Sequence, residues 1–236
     1  GATPEMFAFA RKGSIGNQLF NTIYLVFISL LFSIPLGVTA GIYLAMYAKK
    51  GFLTKFLRIC IETLSSLPSI VVGLFGYLVF LVFFGLGKSL LAGALSVSIL
   101  AIPVITTTTE DAINGLPGHY LQASLGLGAT RWQSIYKVVI PAAGSGILSG
   151  IILGLARAFG EALAVAMVIG QTTALPKGLF STTKSLTTEI AAQMGNATEG
   201  GEMKTALWTM ALLLFLLSLI FILLIHYFSR PKKDKE

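Results

Sequence analysis

The sequence predicts an all-α fold, a polytopic membrane helical bundle. Three observations carry this prediction. Of the 236 residues, 55% are hydrophobic and only 11% are charged, whereas soluble domains carry about 25% charged residues. The apolar residues fall into long runs of the length, about 20 residues, that crosses a hydrocarbon core about 30 Å thick. Those runs are too long for strands and do not alternate between apolar and polar.

Five runs qualify as spans. The first lies within the uncharged stretch 14–48 and covers about residues 19–46. The second covers about residues 63–84 and contains Pro68, Gly73 and Gly76. The third, about residues 89–109, ends in the four threonines Thr106 to Thr109, which are expected to terminate it. The fourth, about residues 145–170, carries Arg157 and Glu161 inside an otherwise apolar run. The fifth, about residues 205–228, is rich in Leu, Ile and Phe.

The basic residues set an expected orientation. The formal net charge is +7, from 17 Lys and Arg against 10 Asp and Glu. In a membrane protein such an excess collects on cytoplasmic connections, and no basic run with interleaved aromatics points to nucleic acid. Lys49, Lys50, Lys55 and Arg58 follow the first span, Arg131 and Lys137 the third, and Arg230, Lys232, Lys233 and Lys235 the fifth. The other connections hold Arg11, Lys12, Lys88, Lys177, Lys184 and Lys204. The first set is larger and is expected to be cytoplasmic, which places the C-terminus inside and, with five spans, the N-terminus of this chain outside. The first residues are polar or mixed and do not form a signal peptide. An upstream sixth span in the full protein is therefore expected. The single Cys60 excludes an internal disulfide framework or a cysteine metal cluster.

Between the third and fourth spans lies the longest polar-leaning segment, residues 118–141 (GHYLQASLGLGATRWQSIYKVVIP). Pro117 suits a first helical turn, and a short helix over residues 118–125 follows. Gly126 and Gly128 end that helix and permit a sharp reversal. Thr130 and Gln133 form a capping box that starts a second helix. There Trp132, Ile135, Tyr136 and Val139 fall at i, i+3, i+4 and i+7, a single apolar face, and Pro141 stops it. The pattern predicts a compact two-helix knob on the cytoplasmic side.

This segment resembles the EAA loop of ABC-importer permeases, written E-A-A, three residues, G, nine residues, I-x-L-P. Gln122, Ala123 and Ser124 stand at E-A-A, Gly128 at the glycine, and Val138, Ile140 and Pro141 at I-x-L-P. The resemblance implies a type I ABC-importer permease fold. It further implies that the loop, taken as residues 110–141, is a coupling helix inserted into a groove of a separate ATPase subunit. Gln122, Ala123, Ser124, Gly126, Gly128, Thr130 and Arg131 would then face that subunit, with the small residues allowing close approach. The apolar face of the second helix would anchor against the membrane domain. No cofactor is expected on this chain; ATP and Mg belong to the partner ATPase.

In the fourth span Arg157 and Glu161 sit four apart and are expected to share a helix face. Charges at such depth usually face a pathway or a partner. Two readings stand side by side: a self-contained ion pair that fixes packing, or a guanidinium offering bidentate hydrogen bonds to an oxyanion with the carboxylate holding it in place. Gly146, Gly150, Gly154 and Ala158 form a small-xxx-small stripe for close helix packing. Ser65, Ser66 and Ser69 flank Pro68 and are candidates for lining a pathway, or for satisfying the helix break that the proline makes.

The stretches ETLSSLPSIVVGLFG (residues 62–76), GLARAFGEALAVAMVIG (154–170) and TTEDAINGLPGHYLQASLGLGATRWQSIYKVVIPAA (108–143) resemble the phosphate-specific importer permeases. YLVFISLLFSIPLGVTAGIYLAMYA (residues 24–48) leans towards the A-type over the C-type subunit. The resemblance implies phosphate uptake, with Arg157 and Glu161 matching a charged pair tied to translocation. It also implies the partners: a second permease subunit, a dimer of ATP-binding subunits and an extracytoplasmic phosphate-binding protein. The localisation implied is the bacterial cytoplasmic membrane.

Rival classes fare worse. Gly87-Lys88-Ser89 is similar to the end of a P-loop, but Val82 occupies the required earlier glycine position. Ala143-Gly144-Ser145-Gly146 is near a GxSG protease motif, but its first glycine is replaced and no histidine lies at a depth to serve the serine. His119 and His226 each stand alone and have no metal-ligand companion in the sequence. A self-sufficient channel or secondary carrier would have no use for an ATPase dock. A permease for sulfate, molybdate or another small solute remains the main alternative. The outer connection, residues 171–204, is expected to be partly helical over residues 187–194 and to be available to an external partner or to serve as a linker.

Overall fold

In the computed structural model the described residues are 14–49, 51–161, 163–170, 177–195 and 201–228, and they contain helices and no strand. Arg11, Lys12, Lys50, Arg230, Lys232, Lys233 and Lys235 lie outside them. Among the described residues three helices are long and apolar enough to cross a membrane, and two bent helix pairs bring the number to five if each pair is one span.

Helix α1, Ser14–Met46, is the first span. The second is broken: α2, Phe52–Ser66, is followed by extended Leu67 and Pro68, then by α3, Ser69–Gly76, which continues as a π-helix over Tyr77–Phe83. The two halves meet at 103°. Proline restricts the residue before it to extended backbone and has no N–H to continue the ladder, so the chain turns there. Helix α2 buries no residue completely. Its charged Lys55, Arg58 and Glu62 recur at helical spacing, while Phe52, Phe56 and Ile59 are exposed.

Helix α4, Leu90–Asn114, is the centre of the bundle. Ser89 caps it by accepting from the Ala92 N–H at 3.3 Å, so the Gly-Lys-Ser sequence there starts a helix. The threonines expected to end this span lie inside it. Thr106 and Thr108 donate to the carbonyls of Ile102 and Val104, at 2.8 and 2.7 Å, and Thr107 donates to Pro103 at 3.0 Å. A hydroxyl satisfied on the preceding turn does not compete with the helix, and α4 runs on to Asn114.

Small residues hold α4 between its two main neighbours. A Cβ on Gly41 of α1 would lie 2.6 Å from Thr109 Cβ, and one on Gly37 would lie 2.8 Å from Ile105 Cβ. On the other side is α8, Gly144–Gly160. There a Cβ on Gly146 would lie 2.4 Å from Ala112 Cβ, and one on Gly150 would lie 2.8 Å from Thr108 Cβ. Gly154 faces Ile105, and Ala158 is buried. The predicted small-xxx-small stripe is therefore the α4–α8 contact.

Two short helices precede α8: α5, His119–Gly126, and α6, Arg131–Ser134, which passes through a π-helical turn, Ile135–Val139, into α7, Ile140–Ala142. After α8 the sequence predicts continuous helix to residue 170. The structure instead ends α8 at Gly160, puts Glu161 in an extended conformation (φ −77°, ψ 117°), and starts α9, Leu163–Val168. Apolar composition continues through this point and hides the break. Helix α9 packs on α3, where a Cβ on Gly73 would lie 2.7 Å from Ala164 Cα.

The described part of the following connection folds inward. Leu90 and Leu91 N–H donate to the Ser181 and Leu179 carbonyls at 3.0 and 2.9 Å, and Thr183 N–H donates to Ile169 at 3.2 Å. Thr183 to Glu189 are all buried. Lys184 and Glu189 form a buried ion pair, and the Leu186 N–H donates to Thr22 Oγ1 of α1 at 2.9 Å. Helix α10, Leu186–Gln193, falls where the sequence expects one. Phe180, Thr182, Ala191 and Ala192 of the same connection stay exposed. The last helix, α11, Glu202–Phe228, packs on α8 and α10 and leaves most of its apolar surface uncovered.

Candidate functional site

The predicted coupling loop is a two-helix knob. No residue of α5 is buried. Gln122 and Ala123 are exposed, as are Gly126, Leu127 and Gly128 at the tip, where Leu127 is 90% exposed. Gly128 takes φ +84°, a left-handed conformation that glycine adopts at little cost, and reverses the chain. Added Cβ atoms on Gly126 or Gly128 would meet nothing within 4 Å among the described residues, so no contact there requires small residues, and only the left-handed backbone of Gly128 calls for glycine.

Thr130 opens the second helix with a capping box. Its hydroxyl accepts from the Gln133 N–H at 3.2 Å, and Gln133 Oε1 accepts from the Thr130 N–H at 2.9 Å. The π-turn that follows divides the apolar face the sequence predicts. Its wider i→i+5 winding keeps Ile135 and Val139 buried but leaves Trp132 61% and Tyr136 43% exposed. Ile135 and Val139 join Met46 of α1, Ile113 of α4, Ala143 and Ile147 in one cluster that roots the knob in the bundle. Trp132 and Tyr136 contact each other at 6.0 Å between ring centroids.

Two residues expected to face an ATPase are engaged by contacts within this chain, although Arg131 stays exposed. Ser124 donates to Ser134 Oγ at 2.8 Å and so fastens α5 to α6. Arg131 Nη2 donates to the carbonyl of Met46, the last residue of α1, and its guanidinium lies 5.4 Å from the centre of the Tyr47 ring. Gln122, Ala123, Gly126, Gly128, Thr130 and Arg131 are exposed, and Ser124 is half-buried. The sequence held a signal for Arg131: a cation in a first helical turn opposes the macrodipole, which favours a head group reaching elsewhere.

The second cluster of predicted residues is only partly assembled. Arg157 is half-buried in the last turn of α8 and, among the described residues, forms no ion pair or hydrogen bond. Glu161 does not hold it. Glu161 is the residue at which α8 ends, and its Oε1 accepts from the Ala164 N–H at 3.2 Å, capping the start of α9. Its carbonyl accepts from Thr187 Oγ1 at 3.0 Å. Ser65 and Ser69 are half-buried on either side of the Pro68 elbow, and Ser66 is exposed and donates to the Thr63 carbonyl at 2.9 Å. No hydrogen bond among the described residues joins these serines to Arg157 or Glu161. Sequence reasoning missed the Arg58–Glu110 and Lys184–Glu189 ion pairs, whose partners lie outside the i, i+4 spacing that would have marked them.

Comparison with known proteins fits this architecture. The chain is 42% identical over 221 residues to the probable ABC transporter permease protein YqgH of Bacillus subtilis, covering 91% of this chain and 71% of that protein. It is 30% identical over 224 residues to the phosphate transport system permease protein PstC of Pasteurella multocida, covering 84% of this chain and 69% of that one. It is 29% identical over 217 residues to PstA 1 of Mycobacterium tuberculosis, covering 92% of this chain and 69% of that one. A- and C-type relatives thus match about equally, and the lean towards the A-type gains no support. Among solved structures, an inward-facing MetNI methionine ABC transporter chain superposes with a TM-score of 0.73 at 21% identity, covering 98% of both chains. Residues 37–233 match the binding-protein-dependent transport system inner membrane components. The chain belongs to that family, the membrane permease subunits of ABC importers.

Proposed function

We propose that this chain is a permease subunit of an ATP-driven importer of inorganic phosphate. The observation that carries the cargo is Arg157: a half-buried guanidinium at the end of α8 with no carboxylate partner among the described residues. Its planar fork is available for bidentate hydrogen bonds to a tetrahedral oxyanion. Similarity to phosphate transport permeases of both types supports the same cargo. Glu161, one residue past the end of the same helix, fixes the break that gives α8 its end. Ser65 and Ser69, at the elbow, are the neutral hydroxyls offered to the path.

The exposed face of α5 and the Gly126–Gly128 tip form the docking surface for an ATP-binding subunit on the cytoplasmic side. ATP and Mg are bound there and not by this chain. A second permease subunit, paired as a heterodimer, and an extracytoplasmic phosphate-binding protein complete the importer, and the C-terminus faces the cytoplasm. The test is uptake of labelled phosphate by the reconstituted complex, with sulfate and molybdate as competitors. ATP-dependent uptake that excess sulfate leaves intact is expected. Stronger competition by sulfate than by unlabelled phosphate would overturn the cargo, and uptake without ATP would overturn the importer reading.

A further inference from the structure

Arg131 occupies the first position of α6, directly after the Thr130 cap. A cation there opposes the helix macrodipole, but at the C-terminal end of another helix it is favourable. That is where its head lies. The last carbonyls of a helix lack intrahelical donors, and Arg131 Nη2 supplies one to Met46 at the end of α1, across 85 residues of sequence. The guanidinium stacks over Tyr47, the next residue. Met46 also belongs to the same apolar cluster as Ile135 and Val139 of the loop. The knob is thus attached to α1 by a charged strut as well as by apolar contact, whereas it is joined to α4 and α8 covalently.

We propose that Arg131 is a positioning residue that makes the end of α1 move with the coupling loop, so that displacement of the loop reaches three helices instead of two. This rests on the reading that the loop docks an ATPase. It assigns Arg131 to transmission within this chain and not to the docking surface.

The test uses the complete reconstituted complex with Arg131→Gln and Arg131→Lys. Spin labels at the exposed Lys49 and Lys137, in a Cys60→Ser background, report the separation of α1 and the loop by dipolar EPR. In the wild type that separation is expected to be the same with and without ATP. In Arg131→Gln the ATPase subunits stay bound, the separation becomes broader and ATP-dependent, and phosphate moved per ATP falls about tenfold, the scale of one charge-assisted hydrogen bond. Arg131→Lys keeps a donor for Met46 without the planar stack and restores part of the ratio. An unchanged ratio and distance in Arg131→Gln would overturn the strut. So would release of the ATPase subunits, which would return Arg131 to the docking surface. A wild-type chain that never retains an ATPase would overturn the coupling reading and the strut with it.

Discussion

The carboxylate of Glu110, buried in α4, is paired with the guanidinium of Arg58 on α2. The contact ties the helix before the Pro68 elbow to the last turns of the central span. Removing the arginine strands a buried carboxylate, and such a group costs about 1–3 kcal/mol when left unpaired. Arg58→Gln should therefore lower the thermal unfolding midpoint in detergent, and the double variant Arg58→Gln/Glu110→Gln should recover much of the loss. Equal midpoints for the single and double variants would mean that the pair does not hold α2.

Gly41 and Gly16 lie on one helix and should respond in opposite ways. At Gly41 an added Cβ would be 2.7 Å from the Thr106 carbonyl oxygen, which is backbone and cannot turn aside. Gly41→Ala should force α1 from α4 at a cost of about 1–3 kcal/mol, the range for overpacking. Gly16 has open space around it, and Gly16→Ala should be neutral or stabilising by up to about 1 kcal/mol, the helix-propensity difference. Thermal unfolding of both variants checks the pair.

The two glycines of the knob separate folding from docking. Gly128→Ala places a Cβ at φ +84° and should cost about 1–2 kcal/mol through local strain. Gly126 is helical with nothing near it in this chain, so Gly126→Trp should leave the unfolding midpoint unchanged while releasing the ATPase subunits during purification. A complex that keeps its ATPase with tryptophan at Gly126 would remove this face from the interface.

Arg157 and Glu161 should also part company. Arg157→Gln breaks no ion pair among the described residues and should leave stability near wild type while uptake is lost. Glu161→Ala removes the acceptor for the Ala164 N–H and should cost about 1 kcal/mol, as loss of a helix cap does. Uptake at wild-type rate by Arg157→Gln would exclude the arginine from the path.

Much of this architecture was legible because periodicity and caps are local. The long apolar runs gave the spans, Thr130 with Gln133 gave the capping box, and the glycine stripe gave the α4–α8 contact. What was not legible depends on groups far apart in sequence or on backbone choices that composition does not mark. Hydropathy continues across Glu161 and hides the end of α8, and composition does not mark that the Glu161 carboxylate caps the next helix in place of pairing with Arg157. Threonine carries two meanings: at residues 106–108 it bonds back to its own helix and does not end it. The π-turn at Ile135–Val139 kept Trp132 and Tyr136 on the surface although their spacing matched a buried face.

The two interrupted spans have a joint consequence. Helix α3 follows the Leu67–Pro68 joint and α9 follows the joint at Glu161, and the two helices meet where Gly73 lies against the backbone of Ala164. At Gly73 no Cβ separates the two backbones, and Met167 Sδ lies against the same spot, so the joints that precede these helices share a direct contact. The elbows are therefore not two independent hinges. A rotation started at either one is expected to displace the other through that contact.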